Sequence, residues 1–344
     1  MTSEKEDFVV LTGCGWVTPS VAGGMQKVMG FLEVNRTLGT GENWFHPVPR
    51  SMAESETSLP DSCRRDDHVW VAALAVHHAL RSAGISQSAI PAERIGAVVG
   101  CAFAPLVGMI DFAEDVRKQS ARFVSPLRFP QTVGNYVGGA IARGFDFRGP
   151  NSTLACGSAS GLIALNDARR FLMEGRADAM LAGGAEKLTE ALAMELAGDP
   201  GSVSEGACFF VVERRSSADR RGVKWLAAFE DSDAGSESAV VEMAGLQLPV
   251  IHSSAGLIQR QSIHIESWIG RCFGASGAAA VAAAIAAARG FVVPMVTKSG
   301  DVSEMRFDKP GGETADPQRN LPAVVTASDL DRGIARLGLS IPRA

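Results

Sequence analysis

The stretch Asn151 to Leu165, NSTLACGSASGLIAL, constrains the fold of this chain more than any other. Ser152, Thr153 and Leu154 lead through a cysteine into small residues and then an apolar-periodic segment, the pattern of a buried strand, a sharp turn and a helix. The spacing predicts that helix over 160–174, which puts Cys156 at or beside its N-terminus. Unpaired backbone N–H groups and the positive end of the helix dipole favour a thiolate there, so the position suits a nucleophile. Gly157, Ser158, Ala159, Ser160 and Gly161 let a substrate or another backbone come close. On this stretch alone a buried structural cysteine is the better reading.

Around it the chain alternates strand and helix. Apolar runs at 8–12, 95–100 and 179–186 read as strands, and helical spacing marks 66–83, 106–117 and 135–143. Pro126 and Pro130 predict an extended 123–130. This is the grammar of an α/β protein with a largely parallel sheet covered on both faces. The second half repeats it, with strands at 207–213, 224–229, 248–252 and 323–326, and with Gly270–Gly277 and an alanine run echoing the cysteine turn and its helix. An internal duplication follows, with halves 1–203 and 204–344 sharing a layered core as one unit. Polar 297–320 reads as a surface loop.

Composition then excludes classes. With 344 residues, 46% hydrophobic, and a net charge of −5, the chain suits one large domain or two fused ones and lacks the basic field that nucleic acid needs. Cysteines 14, 63, 101, 156, 208 and 272 form no CxxC pair and no metal-like spacing with histidine, so neither a zinc site nor a cofactor is expected. Reduced thiols, a charged N-terminus without an apolar core, and a longest apolar run (275–288) too short for a bilayer point to a cytoplasmic protein without membrane contact. The Arg64-Arg65, Arg169-Arg170, Arg214-Arg215 and Arg220-Arg221 doublets are isolated; one could dock an acidic carrier protein.

Taken in order, several pieces resemble the β-ketoacyl synthases, the condensing enzymes of fatty-acid and polyketide assembly. They are Phe8 to Pro19, Ser125-Pro126 through Asn135 to Asn151, Leu154-Ala-Cys156-Gly-Ser-Ala-Ser-Gly161, Gly175 to Glu186, Ser204-Glu-Gly-Ala207 and Glu266 to Ala278. The resemblance implies a thiolase-like fold, two duplicated βαβ halves in a five-layer α-β-α-β-α core. Family enzymes load an acyl group on a cysteine and use two histidines to decarboxylate the extender and steady the developing charge. It implies that Cys156 holds the nucleophile position. Arg271 stands in the place of the second histidine and Glu266 in that of the lysine. Arginine stays charged and cannot act as a neutral donor and acceptor.

The family's histidine-glycine-threonine turn has no counterpart string, and His252 is the nearest stand-in by order. Of its glycine-rich gate only Gly333 remains in 327–333, and the connections 187–203 and 231–247 are short. The resemblance therefore implies a ketosynthase-like subunit with an incomplete catalytic set, not an independent condensing enzyme. Its expected role is that of a chain-length factor: partner of an active ketosynthase in a heterodimer, serving acyl carrier protein in type II polyketide or fatty-acid biosynthesis. Chain-length factors of aromatic pathways usually carry glutamine where Cys156 stands. The alternatives are an acyltransferase or thioesterase using Cys156 without decarboxylative condensation, and a homodimeric acyl-chain-binding protein. Family topology places Leu127, Phe129 and Tyr136 at the interface, toward the partner's tunnel.

Overall fold

The computed structural model describes residues 7–28, 30, 44–85, 89–197, 203–229, 250–252, 262–264, 271–288, 293–296, 302–305, 321–328 and 334–341. From residue 250 onward, side chains are described for 271–286 only. The strands are β1 (Val9–Val17), β2 (Ala22–Gly24), β3 (Phe45–His46), β4 (Ile95–Gly100), β5 (Asn151–Leu154), β6 (Ala179–Glu186), β7 (Val203–Ser204), β8 (Gly206–Arg214), β9 (Ala227–Phe229), β10 (Val250–His252), β11 (Ser262–His264), β12 (Val293–Val296), β13 (Val302–Met305), β14 (Leu321–Ser328) and β15 (Ile334–Ile341). The helices are α1 (Ser51–Glu54), α2 (Asp61–Arg64), α3 (Trp70–Ser82), α4 (Ala104–Gln119), α5 (Tyr136–Phe145), α6 (Ser160–Met173), α7 (Glu190–Ala197), α8 (Arg215–Arg220) and α9 (Ser276–Ala288).

Strand order makes the duplication visible. One series runs β5-β4-β6-β8-β1 and the other β11-β10-β14-β15-β9, the same path through five strands taken twice. β1 pairs antiparallel with β8 on one side and β9 on the other, joining the two series edge to edge. All nine residues of β1 are buried. β8 lies beyond the expected 203/204 boundary, yet it is the fourth member of the first series.

The two faces of the first series bury different clusters, as the period-two alternation of strands requires. Cys208, Phe210 and Val212 of β8 face α6 and α9, while Ala207, Phe209 and Val211 face α3 and α5. The sequence of α9, SGAAAVAAAIAAA, explains its place: small side chains let it lie close to its neighbours, and Ala278 to Ala286 are buried. It touches α6, β6 and β8 from the first series and β10 and β14 from the second, and α6 touches β4, β6 and β15. These two helices form the middle layer of a thiolase-like stack. Among the described residues, no helix covers the outer face of the second series.

The structure differs from the sequence reading in places. Residues 126–132 form a 3-10 helix rather than an extended run. Pro126 sits at its first position, where the missing N–H costs nothing, so proline's fixed φ serves a helical turn as readily as an extended one. β13 falls inside the expected 297–320 loop and pairs with β12. Glu266 and Gly333 lie outside the described residues, as do 231–247, most of 297–320 and most of the gate segment.

A buried ion pair fastens the first series. Glu213 on β8, with no solvent exposure, accepts from Thr12 Oγ1 at 2.5 Å and from Arg221 Nε and Nη2 at 3.1 and 2.6 Å. Arg221→Met strands that carboxylate, and equilibrium denaturation is expected to show a loss of about 3–5 kcal/mol. The bidentate Arg94–Asp178 pair has side chains 37% and 46% exposed. Arg94→Met should cost at most about 1 kcal/mol.

Candidate functional site

The site grows from the ends of β4 and β5. The Cys101 N–H donates to Leu154 O at 2.9 Å, which keeps the two strand ends level. Beyond β5, Ala155 is exposed, Cys156 is half-buried, and the chain makes a single 3-10 turn, Gly157–Ala159, before α6 begins. Gly157 has φ +56°, a conformation that only glycine adopts without strain. The expected helix is therefore present over 160–173, but Cys156 stands one 3-10 turn ahead of it.

Ser160 organises this turn. Its hydroxyl, fully buried, accepts the Cys156 N–H at 2.8 Å and lies 2.7 Å from Gly157 O and 3.2 Å from Cys101 O, between which it shares its one proton. The Ala159 N–H returns to Cys156 O at 3.2 Å. The consequence is chemical as well as structural. The amide of Cys156 is satisfied inside the protein, so it is not free to hold the oxygen of a thioester at the sulfur unless Ser160 lets go.

Beneath the turn, at the end of β6, lies the fully buried carboxylate of Glu186. It accepts the N–H groups of Ala102 at 2.8 Å, Phe103 at 2.9 Å and Gly274 at 3.1 Å. A carboxylate facing several backbone donors is stabilised in its charged form. Gly184, two residues earlier, packs directly under the 3-10 turn Phe273–Ala275: a Cβ there would come within 1.9 Å of Gly274 O. That turn and the cysteine turn touch each other. Phe273 is held at φ +39° with its ring edge-on to Phe103, centroids 4.9 Å apart. Such backbone strain costs roughly 1–3 kcal/mol and persists only where neighbours fix it.

Arg271 enters this assembly from the second half. Its backbone O accepts the Ser204 N–H at 3.1 Å, and its guanidinium lies over the Phe273 ring, 5.6 Å from the centroid. It thus stands two residues ahead of the turn that contacts the cysteine turn. His252 lies on β10, in register with His264 on β11 and Thr326 on β14. Of the residues expected at an interface, Leu127 and Phe129 are 87% and 58% exposed. Tyr136 is turned inward: its hydroxyl donates to Asp66, its ring meets His68 edge-on, and burial pushes its pKa up to about 12.

Sequence reasoning missed three residues here. Glu186 was visible as a charged end to an otherwise apolar strand, AMLAGGAE, and as the last residue of the resembling segment 175–186, but neither signal gave it a role. Ser160 passed as a small spacer. Ser158, half-buried on the cysteine turn, brings a second nucleophilic oxygen beside α6.

The thiols separate by burial. Desolvation pushes Cys63 up to about 11 and Cys101 up to about 12, the latter helped by the charge of Glu186, and raises Cys208 well above its ordinary value. Cys156 is the half-buried one among six free thiols. At pH 8 a thiol reagent is expected to modify about one cysteine rapidly in the folded protein, and Cys156→Ala should abolish that phase. A rapid phase that survives the substitution would contradict this arrangement.

Comparison with known proteins agrees with the geometry. Residues 52–217 match the family model of the β-ketoacyl synthase N-terminal domain. A 3-oxoacyl-[acyl-carrier-protein] synthase 2 of Vibrio cholerae is 30% identical over 141 residues, 41% of this chain and 34% of that protein. A putative polyketide β-ketoacyl synthase 1 of Streptomyces virginiae is 26% identical over 276 residues, 70% of this chain and 65% of that one. The chain thus spans a third of one relative and under two thirds of the other.

Among solved structures, a type II polyketide synthase acyl-carrier protein in complex with its ketosynthase superposes with TM-score 0.75 at 16% identity, covering 98% of this chain and 99% of that one. The ishigamide ketosynthase/chain length factor gives 0.69 at 22% identity, with 97% and 99% covered. A matching N-terminal domain model over residues 52–217, a cysteine on the turn before the middle-layer helix and a thiolase-like strand order make the chain similar to the β-ketoacyl synthases.

Proposed function

We propose that this chain is a ketosynthase-like subunit that acts as a chain-length factor does, pairing with an active ketosynthase on acyl carrier protein in type II polyketide or fatty-acid biosynthesis. The observation that carries the reading is an uncovered apolar face. Leu106, Met109 and Ile110 on α4 and Phe123, Leu127, Phe129 and Val133 around the 3-10 helix 126–132 are all exposed, Leu127 and Phe123 by 87% and 72%. The two elements pack on each other, with Phe112 edge-on to Phe129 and an Arg128–Asp115 ion pair. A face of this kind marks a protein contact.

Next to it, α5 packs on both the 3-10 helix and β5. β5 is the last strand of its series and pairs with β4 alone among the described residues. An open strand edge beside exposed apolar groups invites a second chain. The structural neighbour that is a ketosynthase/chain length factor supports the choice of an active ketosynthase as that chain. The satisfied Cys156 amide and the arginine at the second histidine place support a subunit that does not condense by itself. Leu127 and Phe129 are the groups placed to reach the partner's tunnel. No described helix is long and apolar enough to cross a membrane, and we place the pair in the cytoplasm.

Co-expression with an active type II ketosynthase, followed by gel filtration, is expected to give a 1:1 complex that Leu127→Asp with Phe129→Asp dissociates. A stable homodimer that never co-elutes with the ketosynthase would instead favour the acyl-chain-binding alternative.

A further inference from the structure

On α3, across the first-series strands from α6 and the cysteine turn, two imidazoles and a carboxylate meet. His77 and His78 lie on the last turns of α3, and Glu56 comes from the turn after α1. One ligand atom from each lies within 4.8 Å of the others. His77 Nε2 is 3.6 Å from Glu56 Oε1 and 3.5 Å from Ser58 Oγ, and the two imidazole rings sit 5.5 Å apart at 66°. His77 is buried, while His78 and Glu56 are half-buried. Burial pushes His78 down to about 4 and lowers His77.

We propose that Glu56, His77 and His78 form a binding site for a divalent transition cation of the zinc class. Two imidazole nitrogens and one carboxylate oxygen are the borderline donor set that zinc and cobalt take, with water in the fourth position. Magnesium and calcium call for oxygen donors and are excluded by the same set. Arg81 Nη1, 3.7 Å from Glu56 Oε2, and Lys27 near His78 oppose a cation. The Arg81 side chain is 66% exposed and can swing into water as the metal replaces it as the partner of Glu56.

The metal here would tie the 55–60 turn to the outer helix. It would act on stability rather than on chemistry at Cys156, since α3 and α6 line opposite faces of the first series. The spacing of the cysteines and histidines in the sequence predicts no zinc site; this cluster departs from that expectation and uses no thiol. Its residues come from segments 21 positions apart, beyond the reach of a local motif.

The full chain, stripped with a chelator, is titrated with cobalt(II) by absorption and with zinc by calorimetry. About one equivalent with tetrahedral cobalt bands is expected, and zinc should raise the melting temperature. His78→Asn and Glu56→Gln should each weaken binding by ~10-fold or more, and the double variant His77→Asn/His78→Asn should lose the thermal shift. Glu56→Gln changes only a turn residue, so it keeps the test open if the histidine variants fail to fold. Absence of cobalt bands, or affinity unchanged in Glu56→Gln, would overturn the proposal.

Discussion

Three backbone amides, from Ala102, Phe103 and Gly274, end on one buried carboxylate, and the rest of the arrangement follows from it. Glu186 ends a strand of the first series, while Gly274 opens the middle-layer helix contributed by the second half. The carboxylate is therefore a joint between the halves. It also sets the start of α4, because Ala104 follows directly on the two anchored amides. The cysteine turn rests against the Phe273–Ala275 turn, and the exposed apolar face lies along α4, so one side chain is tied to the elements that carry both.

Much of this was legible in the chain. The strand, turn and helix around Cys156 could be read because a short extended-looking run, a block of small residues and an apolar period follow one another in 15 residues. The alanine helix could be read because few environments but the middle of a layered core bury such a surface. What escaped was long-range. The partners of Glu186 lie 83, 84 and 88 residues away, and the Asp66 that turns Tyr136 inward lies 70 away. Periodicity reports which face of an element is apolar, not which polar atoms meet across the fold. The 3-10 helix at 126–132 escaped for a local reason: two prolines fix φ at a value that extended and helical segments share.

The candidate site was legible in its parts and not in its state. Cysteine at the turn is a fact of sequence, and arginine in place of a histidine is what the resemblance implies. That the cysteine amide already has a partner in Ser160 is a fact of geometry, and it bears most on chemistry. Acyl transfer at sulfur requires donors aimed at the developing oxyanion, and a donor spent on a buried hydroxyl contributes nothing until released. A scaffold that retains its joint and its exposed face while its amide is internally bound suits a subunit that shapes a neighbour's reaction.

The most direct measurement of that claim is carbon dioxide release from a malonyl-carrier thioester by the purified chain alone. The account predicts release no greater than that of Cys156→Ala, before or after acyl-carrier thioester is added. Sustained release by the isolated chain that Cys156→Ala abolishes would contradict it.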